Sequence, residues 1–555
     1  MPAKITATEQ NLVHVFGDGY FFEIPLYQRP YAWTEEHVEA LLDDLQDAMR
    51  HDREEPYFLG SVVLIKNDDD PRSEVVDGQQ RLTTLTMLFC VLRDLSDDDE
   101  LDEFVRQAGS VVKGTQDRYR LTARRRDQSF FETHIQRKGS LNQFLDLDPI
   151  DFSDSQRHMF ENTKYLRDQL VQLSSEERKG LAIYVAQRCF LAAVSASDGN
   201  SARRICSVMN DRGLDLSATD VLKAEILDAI SDSDTQDEYA AKWESIEENL
   251  GRDDFRDLFA HIRTIHRKDK LRHTLEEEFR DYVLGDLTSA KATAFVDEEL
   301  ELYADAYEMV LRSTYESTEG ADKINALLRH LNRLNNFDWI PPAMEYFRRM
   351  KGQPDKLLKF SLDLERLAYG LFIRKANVNE RIDRYSKVTS AIQNGESLSD
   401  DASPLQLTAD ERSEILATLN GGIYDQYRVP APLLLRLDSI LAEGGVRYQH
   451  PIISIEHVLP QNPAEDSQWM KWFPNEDERK RWTHRLANLV LLSRRKNTRA
   501  SNYDFERKKR EYFQRQGTTT FALTTQVVDQ PSWNPNVLER RQEELIATLK
   551  REWRL

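Results

Sequence analysis

The run Ile455-Glu456-His457-Val458-Leu459-Pro460 constrains the carboxyl-terminal part of this chain more than any other feature. Residues 452–458 are rich in β-branched side chains and read as a strand, in which neighbouring side chains leave on opposite faces. Glu456 and His457 can therefore share one pocket only where the strand ends or bulges. Pro460 supplies an ending, because it cannot donate to a ladder. Farther on, Asn488-Leu489-Val490-Leu491-Leu492-Ser493 reads as a second strand able to pair with the first across a long loop. Residues 496–502 then open a helix that returns Asn497. The expected unit is a strand, strand, helix finger.

The residue types suit phosphodiester hydrolysis. A hard cation such as Mg²⁺ or Mn²⁺ takes oxygen ligands, which Glu456 and Asn497 offer, while His457 can draw a proton from water. A Glu-His pair at the surface, with an Asn that only forms a turn, is the plain alternative. Residues 448–512 resemble the HNH, or ββα-metal, nucleases. That resemblance implies Glu456 and Asn497 as metal ligands, His457 as general base, and Asn488 as the residue orienting the His457 ring through its backbone or side chain, with His484 supporting them. No Cys-x-x-Cys pair flanks the motif, so an accessory zinc is not expected.

Charge supports a nucleic-acid partner. Between Arg479 and Arg510, twelve Lys or Arg stand against two Asp or Glu, in a chain whose net charge is −21. Such a patch gains salt-sensitive affinity for DNA through counterion release. A solvated helix face explains Arg507 to Arg510 but not Arg494, Arg495, Lys496 and Arg499, which are the candidate DNA contacts. The acidic remainder argues for local contacts rather than a general nucleic-acid coat.

Near the amino end, 61–65 and 73–76 read as two short strands, followed by a helix with apolar Leu82, Leu85, Leu88, Phe89 and Leu92. The junction carries Asp77-Gly78-Gln79-Gln80-Arg81. Helix amides, a permissive glycine and the Arg81 fork suit an anion. A capping box between Asp77 and Gln80 explains the same spacing. The wider succession is Ile24-Pro25-Leu26-Tyr27-Gln28-Arg29-Pro30-Tyr31-Ala32-Trp33, Phe58-Leu59-Gly60-Ser61, Met209 to Leu216, and Asp220-Val221-Leu222-Lys223. With the DGQQR box it resembles the amino-terminal domain of GmrSD-type restriction proteins, whose core is similar to the ParB and sulfiredoxin fold.

This second resemblance implies a nucleotide site at Gln28, Arg29, Asp77, Gly78, Gln79, Gln80 and Arg81, with nucleoside triphosphate (NTP) hydrolysis coupled to sensing of modified DNA. Asn210, Arg212, Asp220 and Lys223 match a later family motif as supporting residues; a turn followed by a helix start explains them equally. Tyr27, Tyr31 and Trp33 can stack on a base or pack in a core. No Walker-type run is present, which excludes a P-loop NTPase.

The expected fold class is α+β and mostly helical: a ParB/sulfiredoxin-like DGQQR domain at 1–235, a helical middle at 236–392, a linker at 393–407 and an HNH-type nuclease at 408–555. Helical spacing marks 166–173, 177–194, 239–250 and 355–373. Trp533, Val537, Arg540, Leu545 and Trp553 lie along a final helix. Cys90, Cys189 and Cys206 show no framework spacing and are expected reduced. The lack of a leader or long apolar run points to a cytoplasmic chain without membrane contact. A homo-oligomer is compatible with the sequence. The resulting expectation is an NTP-regulated, modification-dependent DNA endonuclease of type IV acting against phage or foreign DNA. The alternatives are a DNA-binding NTPase or sensor with an inactive nuclease finger, and a nuclease directed at RNA.

Overall fold

The computed structural model describes all residues except 1–4, 68–69, 97–98, 111–113, 115, 200, 203–204, 206–216, 427–428, 443–452, 494–502 and 511–520. The fold is mostly helical α+β, and the chain divides into two compact units. One consists of Met1–Asn249 with Asp286–Val296, the other of Leu250–Gly285 with Asp297–Leu555.

The first unit is built on a mixed sheet of β1 (Ile5–Asn11), β2 (Phe21–Glu23), β3 (Tyr57–Ile65), β4 (Arg72–Asp77), β5 (Leu121–Thr122) and β6 (Cys189–Ala196), in the order β1-β6-β3-β4-β2-β5. The β1–β6 and β3–β4 pairs are antiparallel and the others parallel. The two strands expected at 61–65 and 73–76 are β3 and β4. The helix Gln79–Ser96 follows, buried on almost every side, with Leu82, Leu85, Leu88, Phe89 and Leu92 in the core.

The expectation of a helix over 177–194 needs correction. The helix ends at Arg188 and the chain runs on as β6, which holds β1 and β3 together. The run Phe190-Leu191-Ala192-Ala193-Val194 is apolar at every position, so its sequence has no period-two alternation to distinguish it from a buried helix. The first unit also passes position 235, because the helix Ser233–Leu250 carries Glu244 into a buried ion-pair network with Arg124 and Lys223.

In the second unit, helices Glu301–Arg312, Ile340–Arg349, Pro354–Ile373 and Val378–Asn394 pack against one another. Residues 393–407, expected as a linker, lie within this unit. Leu405 and Leu407 are buried there, and Gln406 Nε2 donates to Asp363 Oδ2 (3.1 Å) and to the Leu398 carbonyl (2.7 Å). The hairpin is β7 (Ile453–His457) and β8 (Leu489–Ser493), paired antiparallel with Leu489 opposite His457. Its long connection contains helices Gln468–Trp472 and Glu476–Thr483. Around the hairpin, Trp469, Trp482, Phe505 and Trp533 form an aromatic core with Val458, Leu459 and Val490. The last helix, Pro535–Trp553, starts just after Trp533 and buries Leu538, Leu545, Leu549 and Trp553.

Cys90 and Cys189 are buried free thiols, each pushed up to about 12 by burial; Cys206 lies outside the described residues. Among the described residues no helix is long and apolar enough to cross a membrane.

Gly78 joins β4 to its helix at φ +94°, and a Cβ built there would lie 2.6 Å from Val62 Cγ1. Gly78→Ala is expected to destabilise the first unit by about 2–4 kcal/mol, from the left-handed backbone and the clash together. A lowered urea or thermal midpoint for that unit checks this, and an unchanged midpoint contradicts it.

Candidate active site

The pairing of β7 with β8 is regular up to His457, with no bulge, so Glu456 and His457 leave the strand on opposite faces. The sharing of one pocket considered from the sequence is thus replaced by a two-sided arrangement. Each residue is only 7% exposed.

On one side, Glu456 Oε1 accepts from Lys508 Nζ at 2.7 Å, and the same ammonium donates to the His457 carbonyl oxygen at 2.7 Å. Lys508 closes the short helix Phe505–Lys508 and is 1% exposed. Burial raises the Glu456 carboxyl and lowers the Lys508 ammonium, and each charge opposes the other's shift. Removing either partner would leave an uncompensated buried charge.

On the other side, His457 sits in a nest of polar and aromatic groups. Its Nε2 lies 3.3 Å from His484 Nδ1, and its Nδ1 lies 3.3 Å from Gln461 Nε2. Tyr424 meets the His457 ring edge-on at 4.3 Å and stacks on His484 at 5.4 Å. The Tyr424 amide donates to the His484 carbonyl (3.1 Å), fixing the 421–425 turn, and Asp425 Oδ1 comes within 3.8 Å of His484 Nδ1. Burial above all, then the charges of His484 and Lys508, lowers the His457 pKa to about 4. The ring is therefore neutral near pH 7, the form a general base requires.

Asn488 acts on the backbone next to His457 through both its main chain and its side chain, its carbonyl accepting from the Val458 amide (3.0 Å). Its Oδ1 accepts from the Leu459 amide (2.7 Å) and from Trp533 Nε1 (3.1 Å), and its Nδ2 donates to the carbonyls of Leu459 (3.0 Å) and Thr483 (2.8 Å). It is a positioning residue that holds the chain just beyond His457. The turn carrying it is braced in turn by the last helix: Gln542 Oε1 accepts from the Ala487 amide and Arg541 Nε donates to the Ala487 carbonyl.

Asn497, Arg494, Arg495, Lys496 and Arg499 lie outside the described residues, as do Asn210 and Arg212. Among the described residues no group of three or more His, Cys, Asp or Glu is placed to hold a metal. Of the basic patch, Arg481 and Arg485 flank the buried Trp482 ring beside His484, at 5.5 and 4.9 Å. Arg507 stacks on Tyr503.

In the first unit the DGQQR glutamines serve the backbone. Gln80 Oε1 accepts from the amides of Ala32 (2.8 Å) and Trp33 (3.2 Å), Gln79 Nε2 donates to the Arg29 carbonyl (2.9 Å), and Gln28 Nε2 donates to the carbonyls of Val75 and Val76. These bonds staple the 28–33 loop to the strand-helix junction, and they replace the Asp77–Gln80 capping box considered above. Arg81 Nη1 donates to the Ser61 carbonyl (2.9 Å), and burial lowers its pKa. Tyr27 and Tyr31 are core residues, bonded to Glu74 and Thr84. Asp220 closes a capping box with Ser217 at the start of helix Ala218–Ala229, and Lys223 is buried against Glu244 (3.0 Å).

Sequence reasoning missed Lys508, Tyr424, Asp425 and Gln461. Lys508 was grouped with a solvated face, and a partner 52 residues away in sequence leaves no periodic signal. Gln461 alone stood within reach of the motif, one residue past Pro460.

Two family models match the chain. Residues 10–227 match that described as GmrSD restriction endonuclease, N-terminal domain, and residues 411–548 match that described as GmrSD restriction endonucleases, C-terminal domain. No curated protein matches the chain. The hairpin and its neighbours fall inside the second match, and the DGQQR box inside the first.

Two outcomes are expected. Asn488→Ala strands two buried donors and two carbonyls, and should lower the stability of the second unit by about 3 kcal/mol or more in urea unfolding; a loss below about 1 kcal/mol contradicts the clamp. His457, with a folded pKa of about 4 against 6.5 when unfolded, contributes its full stability above pH 6.5 and loses it as pH falls toward 4. Melts of His457→Gln across this window should therefore show a shallower acid loss than the parent, and parallel curves contradict the assignment.

Proposed function

Because the chain belongs to the GmrSD restriction endonuclease family, we propose that its second unit cuts DNA with His457 as general base and Glu456 as metal ligand. The observation that carries the reading is the end of β7, where a buried neutral imidazole and a buried carboxylate that already binds a cation stand on adjacent residues. That carboxylate suits a divalent cation, because it is a buried oxygen donor that requires a counter-charge beside it. Glu456 and Asn497 would hold Mg²⁺ or Mn²⁺, which supplies Lewis acidity toward a phosphate oxygen.

The chain's own groups do the rest. His457, held from both sides by Gln461 and His484, accepts the proton of the attacking water as one of these contacts opens. His484, partly exposed and within 3.8 Å of Asp425, borders the imidazole on its outer side. Arg481 and Arg485, with Arg494, Arg495, Lys496 and Arg499, meet the phosphate backbone. Asn488 keeps the strand end from drifting.

The first unit is the sensor. An NTP would be held at the junction Asp77–Arg81 by Arg29, Arg81 and the backbone around Gly78, while Gln28, Gln79 and Gln80 hold the surrounding loop. Recognition of a DNA modification belongs to the same unit and regulates cutting.

Cleavage by His457→Ala and by the parent, compared on modified and plain DNA with and without NTPs, tests this. The variant should fall by about 100-fold or more with its fold unchanged, as for loss of a general base. Equal cleavage by both proteins, or cleavage of RNA in preference to every DNA, contradicts the proposal.

A further inference from the structure

Lys508 occupies a position that a cation should occupy. Its ammonium meets two oxygens at 2.7 Å, the Glu456 carboxylate and the His457 backbone carbonyl, and it does so 1% exposed. A carboxylate and a carbonyl are the oxygen donors a hard divalent ion selects. A carboxylate so buried also needs a counter-charge at all times, because the cost of an isolated ion in a water-poor site is several kcal/mol. Lysine fits the part of a replaceable counter-ion. It is a compact point charge on a flexible four-carbon stem.

We infer that Lys508 is an internal competitor for the divalent cation: it holds the Glu456 carboxylate in the metal-free protein and must yield that carboxylate for the ion to bind. This rests on the reading of Glu456 as a metal ligand. The consequence is a weakened apparent affinity: the divalent ion must displace a counter-ion that is always present, so a higher concentration is needed to fill the site. The opposite assignment, in which Lys508 only positions the carboxylate for the metal, makes the reverse prediction for affinity.

Mn²⁺ binding to the full chain, followed by the EPR signal of free Mn²⁺ and by the Mn²⁺-induced rise in Tm, decides between them without any assay of cleavage. Lys508→Met removes the competing charge. Lys508→Gln is the second variant, retaining a hydrogen-bond donor at the same place should the Met side chain unfold the finger. Both are expected to bind Mn²⁺ about tenfold or more tightly than the parent, as for loss of a close like charge in a desolvated site. Their Tm should also respond more steeply to Mn²⁺. Unchanged or weaker binding in the folded variants overturns the inference. Glu456→Gln separates the two layers of the argument. If it abolishes Mn²⁺ binding while the Lys508 variants bind like the parent, only the competitor role falls; if it binds like the parent, the metal-ligand reading falls with it.

Discussion

One buried carboxamide holds the arrangement together. Asn488 satisfies the amide and carbonyl of Leu459, the carbonyl of Thr483 and the indole of Trp533, so the strand end, the loop before the second strand and the segment leading into the last helix meet at a single side chain. Every bond it makes replaces water in a region from which water is excluded, and an unmet partner there costs far more than a bond at the surface. His457 stands two residues before Leu459. Its ring keeps one position among Tyr424, Gln461 and His484 because the backbone beyond it cannot shift.

The first unit applies the same device three times. Gln28, Gln79 and Gln80 each spend their amide on backbone groups of another segment, which leaves the backbone of the DGQQR junction fixed before any ligand arrives. The charged members of both regions instead enter buried pairs, Lys508 with Glu456 and Lys223 with Glu244. Neutral amides set the shape in each unit and paired charges set the electrostatics. The pairs are weak evidence for stability, since desolvation offsets much of their attraction.

Much of this was legible in the sequence. The hairpin, the β3–β4 pair and the helix after Gly78 follow from period-two and helical patterns with a turn residue at the junction. What was not legible is instructive. Strand β6 carries Phe190-Leu191-Ala192-Ala193-Val194, a run apolar on both faces, and its pairing partners are far away in the chain. For Asn488 the motif names the residue but leaves open whether backbone or side chain acts, and the fold shows both bonded to the chain beside His457. Lys508 was hidden among like charges: Arg507, Lys509 and Arg510 surround it in sequence, and only the fold turns this one inward.

The central claim is that the carboxylate and the imidazole at the end of β7 form a metal-dependent cutting site. Anomalous diffraction at the manganese edge, from crystals of the full chain soaked in Mn²⁺, tests it most directly. The account predicts one strong peak bound to Glu456 with the Asn497 side-chain oxygen on the same ion. A peak seated on other carboxylates, with none at Glu456, would contradict it.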